Sequence, residues 1–280
     1  MKRILNKTLK ILIIFYLVIC TVLYFFQEKI LFFPQKLPST YQYHFKEPFE
    51  EINLKNGEGN LLNGLLFKSK NSRGLVFFLH GNAGALNSWG QLAKYYTDLH
   101  YDIFMLDYQG FGKSDGEITS QYELFADNQL FYNEMLKKYD EKSIIVLGYS
   151  LGTGLASKIA ADNHPGQLVL LAPYYSLKDV MKYSYPMIPT FLLKYKIETY
   201  KYLELCNMPI TIFHGKQDEI IYFGSGLKLK EKYPDKIDFI PLENQGHNNI
   251  MYNFVYKKYF KQLLSTYHDV NDISIAIFPN

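Results

Sequence analysis

Short, almost wholly apolar runs recur along the middle of the chain, at 75–79, 103–106, 144–147, 168–171 and 210–213. Each has the length of a strand, and none alternates cleanly between polar and apolar, so each predicts a strand buried on both faces. Between them, apolar positions return at helical spacing over 88–99, 120–138, 151–163 and 223–233. In the second of these, Tyr122, Phe125, Ala126 and Leu136 mark one helical face. Buried strands alternating with amphipathic helices predict an α/β fold, a mostly parallel central sheet with helices on both sides. Ahead of it, 49–55 and 61–68 flank Asn56-Gly57-Glu58-Gly59-Asn60 and read as an antiparallel hairpin at the sheet edge. A further strand-like run covers 237–242.

Two stretches break this alternation. Residues 11–27 carry no charge, slightly short of the ~20 residues that cross hydrocarbon, and Leu5, Thr8, Leu9 and a snorkelling Lys10 extend the run. The expected organisation is a basic cytoplasmic leader (1–10), a transmembrane anchor (11–27), an interfacial segment and linker (28–48), one large domain (49–267) and a tail (268–280). A cleaved signal peptide is the rival reading, but its apolar core should end in small residues, whereas this one ends Leu23-Tyr24-Phe25-Phe26. Cys20 follows Leu17-Val18-Ile19, a poor lipidation signal because isoleucine stands where a small residue is expected. Lys2, Arg3, Lys7 and Lys10 precede the span, which by the positive-inside rule keeps the N-terminus cytoplasmic and the domain extracytoplasmic. Tyr24, Phe25, Phe26, Phe32 and Phe33 are expected to form an aromatic belt at the outer interface. The second break, 173–206, contains Pro186, Pro189 and several tyrosines. It reads either as a short cap over a pocket or as a connecting helix with an irregular entry.

The candidate chemistry sits at the ends of the predicted strands. Gly148-Tyr149-Ser150-Leu151-Gly152 joins the run at 144–147 to a helical stretch, a nucleophile elbow in the context that motif requires. A serine on so sharp a turn needs very small neighbours two residues away, hence Gly148 and Gly152. The turn aims the first amides of the next helix, starting with Leu151, at an incoming oxyanion. The run at 75–79 ends in His80-Gly81-Asn82-Ala83-Gly84, where Gly81 lets the backbone approach and the Asn82 N–H can supply a second oxyanion donor. His80 reads as a structural buttress of that loop. Asp218 follows the run at 210–213 and can orient an imidazole; Glu219 is its rival, and His214 is expected to point away. His247, in Gln245-Gly246-His247-Asn248-Asn249 after the last strand, can reach the serine. The order Ser150, Asp218, His247 is neither that of chymotrypsin nor that of subtilisin.

These segments, with Asp107-Tyr108-Gln109-Gly110-Phe111-Gly112-Lys113-Ser114, resemble the α/β-hydrolase superfamily over roughly residues 50–265. Asp107 is expected to shape the site wall, and Gln109 stands where related sequences more often carry arginine. Within the superfamily the chain is similar to membrane-anchored serine hydrolases with an HGNAG-type oxyanion loop. Some eukaryotic members of that group act on acyl-protein thioesters, and many bacterial ones have no assigned substrate. The resemblance implies the α/β-hydrolase fold and a serine hydrolase cleaving ester or thioester bonds through Ser150, His247 and Asp218. Its substrates would be small-molecule or lipid-like acyl compounds, or an acylated protein, with no cofactor and no metal. A serine peptidase and a non-catalytic binding protein on the same fold remain the alternatives.

Composition narrows the remaining classes. The net charge of +3, with no lysine cluster alternating with aromatics, gives nucleic-acid binding no support. Cys20 and Cys206 are the two cysteines, one in the span and one in the domain, so no bridge within the domain is expected. Nothing in the pattern specifies an oligomeric state.

Overall fold

In the computed structural model, which describes residues 2–264, the apolar runs all become strands of one sheet. In chain order the strands are β1 (Phe33–Pro34), β2 (Phe49–Lys55), β3 (Leu61–Phe67), β4 (Leu75–Leu79), β5 (Ala83–Gly84), β6 (Asp102–Leu106), β7 (Ile144–Tyr149), β8 (Gln167–Leu171), β9 (Ile210–Gly215) and β10 (Ile237–Leu242). The helices are α1 (Lys2–Phe25), α2 (Gln27–Leu31), α3 (Leu86–Trp89), α4 (Ala93–Thr97), α5 (Gln121–Leu136), α6 (Leu151–Asp162), α7 (Leu177–Ser184), α8 (Thr199–Leu205), α9 (Phe223–Lys232) and α10 over 254–264. The main sheet runs β10-β9-β8-β7-β4-β6-β3-β2. Only β2–β3 and β3–β6 pair antiparallel, so the expected edge hairpin closes one side of an otherwise parallel sheet.

The two-residue period of a strand divides the core in two. Leu75, Phe77 and Leu79 of β4 face one cluster with Phe104, Val146 and Leu170, and α5, α6, α8 and α9 cover it. Val76 and Phe78 face the other with Met105, Leu147 and Val169, under α3, α4 and α10. Fully burying each such side chain stabilises by about 1.5–3 kcal/mol, which is why these strands contain almost no polar residue. Wound this way, the sheet collects the turns after β4, β7, β9 and β10 at one end, the carboxyl ends of its parallel strands.

Three expectations change. The helix expected over 88–99 is broken into α3, a 3-10 turn at Gly90–Leu92 and α4. A side chain at Gly90 would stand 2.3 Å from the Phe45 ring, so the break lies where that ring packs against bare backbone. Phe32 is not in an exposed belt: it is buried, edge-on to Tyr195 at 5.2 Å. The segment expected as interfacial linker is also hydrogen-bonded to the domain. β1 pairs in parallel with β5, and Leu37 N–H donates to the Gly112 carbonyl at 2.8 Å. Residues 173–206 carry α7, a 3-10 turn at Thr190–Leu192 and α8. The tail at 268–280 lies outside the described residues.

Candidate active site

Ser150 is the N-cap of α6, at φ 52° and ψ −118°. A positive φ strains a residue with a Cβ, by roughly 1–3 kcal/mol, so the surroundings must impose it. Ser150 N–H donates to the Leu171 carbonyl at 2.9 Å, extending the β7–β8 pairing past the strand end. Its own carbonyl accepts from Thr153 N–H at 2.9 Å and from the Thr153 hydroxyl at 2.6 Å. The flanking glycines are required by close approach. A Cβ on Gly152 would lie 2.0 Å from the Leu79 carbonyl oxygen, and one on Gly148 would lie 2.6 Å from that of Gly152.

The hydroxyl of Ser150 is 2.9 Å from His247 Nε2. On the other side of the ring, His247 Nδ1 lies 2.8 Å and 3.0 Å from the two carboxylate oxygens of Asp218. All three residues are buried. Asp218 also accepts from Ile220 N–H at 2.9 Å and Ile221 N–H at 2.8 Å. Burial alone would raise its pKa, but hydrogen bonds from His214 and His247, the His247 charge and the Ile220 amide outweigh that. Together they hold the carboxyl well below the usual carboxylate range. An ionised Asp218 accepts the Nδ1 proton and leaves Nε2 free to take the serine proton.

Sequence reasoning alone missed three supports of this chain. His214 does not point away: its Nε2 lies 2.9 Å from the Ile221 carbonyl and 3.4 Å from Asp218. Tyr149, immediately before the serine, donates its hydroxyl to the His247 carbonyl at 2.8 Å. Glu219, the rival acid, instead accepts the backbone N–H of His247 at 3.1 Å. The His-Gly pair at 214–215 repeats the pair at 80–81, and that repetition was the available signal for His214. Nothing in the pattern marked the hydroxyl of Tyr149.

The loop after β4 lies beside the serine, since a Cβ on Gly81 would be 3.6 Å from that of Ser150. His80 is fully buried, with Nδ1 2.6 Å from the Gly81 carbonyl and its ring against Tyr108 and Trp89. Burial lowers its pKa to about 4, so it is a neutral buttress of the loop. Asp107 accepts Leu86 N–H at 3.1 Å, and burial raises its pKa to about 8. Gln109 donates to the Asp127 carboxyl at 2.7 Å, an amide hydrogen bond where an arginine would add a positive charge. The Asn82 side-chain amide donates to the Leu31 carbonyl, and the Asn82 carbonyl accepts Phe33 N–H at 3.3 Å. The α1–α2 exit is therefore attached to this loop. A 720 Å³ cavity lies beside the attachment, lined in part by Phe32, Phe33, Phe111 and Ile118. A larger one of 1090 Å³ opens at the opposite ends of β8, β9 and β10, near Gln167, Ile210 and Ile237, and takes no part in the serine site.

Known proteins share this arrangement of strands and turns. A family profile described as "Serine aminopeptidase, S33" matches residues 70–207. An alpha/beta hydrolase domain-containing protein 17C of Xenopus tropicalis is 30% identical over 209 residues, covering 70% of this chain and 63% of that one. The human protein 17B is 27% identical over 227 residues, covering 79% and 76%. An esterase structure from Pyrococcus furiosus superposes with a TM-score of 0.66 at 17% identity, covering 85% of this chain and 97% of that one. The chain has the α/β-hydrolase fold. It spans about 63% of the length of the Xenopus relatives it matches. An α/β-hydrolase from Vibrio vulnificus shares its fold with a TM-score of 0.63 at 21% identity, covering 78% of this chain and 80% of that one.

Proposed function

We propose that the protein is a membrane-anchored serine hydrolase that cleaves carboxylic ester or thioester bonds by two-step acyl transfer. The observation that carries this reading is the continuous relay from Ser150 through His247 to Asp218, with contacts of 2.9 and 2.8 Å. Ser150 Oγ attacks the acyl carbonyl as His247 Nε2 takes its proton, and Asp218 stabilises the resulting imidazolium. His247 then returns the proton to the leaving oxygen or sulfur. Water, deprotonated by the same nitrogen, releases the acid from the acyl-enzyme. The backbone N–H groups of Asn82 and Leu151 hold the oxyanion; Leu151 begins α6, where amides lack partners within the helix.

The anchor is α1, a 24-residue helix with an 18-residue stretch of mean hydropathy 2.3. The four basic residues before the uncharged stretch set the N-terminus in the cytoplasm and the domain outside. Tethering concentrates acyl lipids or acylated proteins at the site. The likeness to the HGNAG-type anchored branch supports this substrate class.

The profile name favours a second reading, an aminopeptidase using the same three residues. Full-length protein in detergent, treated with a fluorophosphonate, tests the first step. Labelling lost in Ser150→Ala and His247→Ala is expected; labelling unchanged in Ser150→Ala would exclude the mechanism. A panel of acyl esters, acyl thioesters and aminoacyl anilides then separates the two readings. Turnover confined to the anilides would select the peptidase.

A further inference from the structure

The cap is pinned to the N-terminal helices at two depths. At the outer end, the Gln27 amide donates to the Leu192 carbonyl at 3.0 Å and accepts Lys194 N–H at 2.8 Å. Lys194 Nζ also pairs with Glu28 at 3.1 Å. Deeper, the Tyr16 hydroxyl donates to the Met187 carbonyl at 2.7 Å. Tyr16 stands nine residues before the end of α1 at Phe25, about 14 Å along the axis at ~1.5 Å per residue. Half the hydrocarbon thickness of a bilayer is ~15 Å. With α1 spanning, Tyr16 lies near the midplane, and the cap segment bonded to it lies at that depth as well.

The composition of that segment agrees. Residues 183–193 carry no charge and are bounded by Lys182 and Lys194. Tyr183, Tyr185, Met187 and Phe191 are 63%, 65%, 78% and 83% exposed, although they are among its largest side chains. A contiguous patch of this kind is unfavourable in water. Part of its backbone is paired within the loop, as hydrocarbon requires of polar groups. Pro186 and Pro189 bring no N–H, Ile188 N–H donates to Tyr185 at 2.9 Å, and Leu192 N–H donates to Pro189 at 3.1 Å.

We propose that residues 183–193 form a re-entrant loop that inserts beside α1 into the leaflet on the domain's side, its partner being the lipid acyl region. The inference rests on the reading of α1 as a span. Lys182 and Lys194 then lie at the headgroups, where anionic lipid attracts them. At the loop's root, Tyr183 stacks on Tyr222 at 3.9 Å, four residues beyond Asp218. The inserted loop therefore adjoins the segment that carries the site's acid.

Nitroxide labels on full-length protein in phosphatidylcholine–phosphatidylglycerol vesicles test this, in a Cys20→Ala, Cys206→Ala background. Labels are placed at Met187→Cys and Phe191→Cys, at Val18→Cys on α1, and at Lys137→Cys, an exposed site just past the end of α5. Collision with oxygen reports hydrocarbon, and collision with a water-soluble nickel chelate reports solvent. Positions 187 and 191 should match position 18. If 18 is oxygen-accessible while 187 and 191 match 137, the loop does not insert and the span stands. If 18 itself matches 137, the span and the loop both fail. Both cap side chains are largely exposed, and a thermal melt of each variant establishes that it folds.

Discussion

The hydroxyl of Tyr149 donates to the carbonyl of His247 at 2.8 Å, and the two rings stack 5.5 Å apart. The residue before the elbow serine thus holds the backbone of the imidazole that the serine contacts. Tyr149→Phe keeps the ring and deletes the bond, at a net cost of about 1 kcal/mol. The expected result is a several-fold lower kcat on a soluble ester, with KM and the melting temperature little changed. A change in KM alone would show that Tyr149 lines the substrate path instead.

His214 lies behind the acid as Tyr149 lies behind the base. Its loss removes a neighbour that helps keep Asp218 ionised. A carboxylate with a depressed pKa contributes stability that is present above its unfolded pKa of about 3.9 and lost as pH falls through the folded value. In His214→Gln the folded value rises, so acid unfolding followed by circular dichroism should begin at higher pH than in the wild type. An unmoved acid transition would mean that His214 serves only the Ile221 carbonyl.

Asp107 and His80 form a buried pair 3.8 Å apart whose titrations oppose each other. Asp107, raised to about 8, favours folding most below its unfolded pKa and loses that contribution as pH climbs towards 8. His80, lowered to about 4, works in the opposite sense: its ring stays neutral in the folded protein, and its contribution to stability is lost as pH falls from about 6.5 towards 4. Both are therefore uncharged between about 4 and about 8. Asp107→Asn mimics the protonated acid, so its melting temperature relative to wild type should improve steadily from pH 4 to pH 8. A constant offset across that range would place the carboxylate in its charged form.

β1 joins the loop after β4, with Phe33 N–H on the Asn82 carbonyl at 3.3 Å and Gln35 N–H on that of Gly84 at 3.4 Å. A chain beginning at Gln27 keeps these bonds, and one beginning at Pro38 has none of them. The shorter chain is expected to lose ~10²–10³ in turnover of a soluble ester, the scale of a displaced oxyanion donor, while the longer one retains its rate. Equal rates would show that the loop holds its shape unaided.

The parallel strands were legible because each is apolar on both faces, and the edge hairpin because turn residues separate its halves. Ser150, Asp218 and His247 were legible because each lies in a glycine turn at a strand end, where the fold brings those turns together. Contacts between distant segments were not. Nothing local in Phe32 distinguishes a ring packed on Tyr195 from one facing lipid. The hydroxyl of Tyr149 gains its meaning only once residue 247 is beside it. The seat of α1 against Met187 likewise depends on two segments 171 residues apart.

Ser150 and His247 are separated by 97 positions in the chain. During synthesis the elbow serine is made long before the imidazole, which follows only after the whole of β10. Domains fold as their segments become available, from the N-terminal side. Until residue 247 is made, the Ser150 hydroxyl lacks the imidazole that stands 2.9 Å from it in the folded chain, so on the proposed mechanism a chain stalled before that residue is chemically silent.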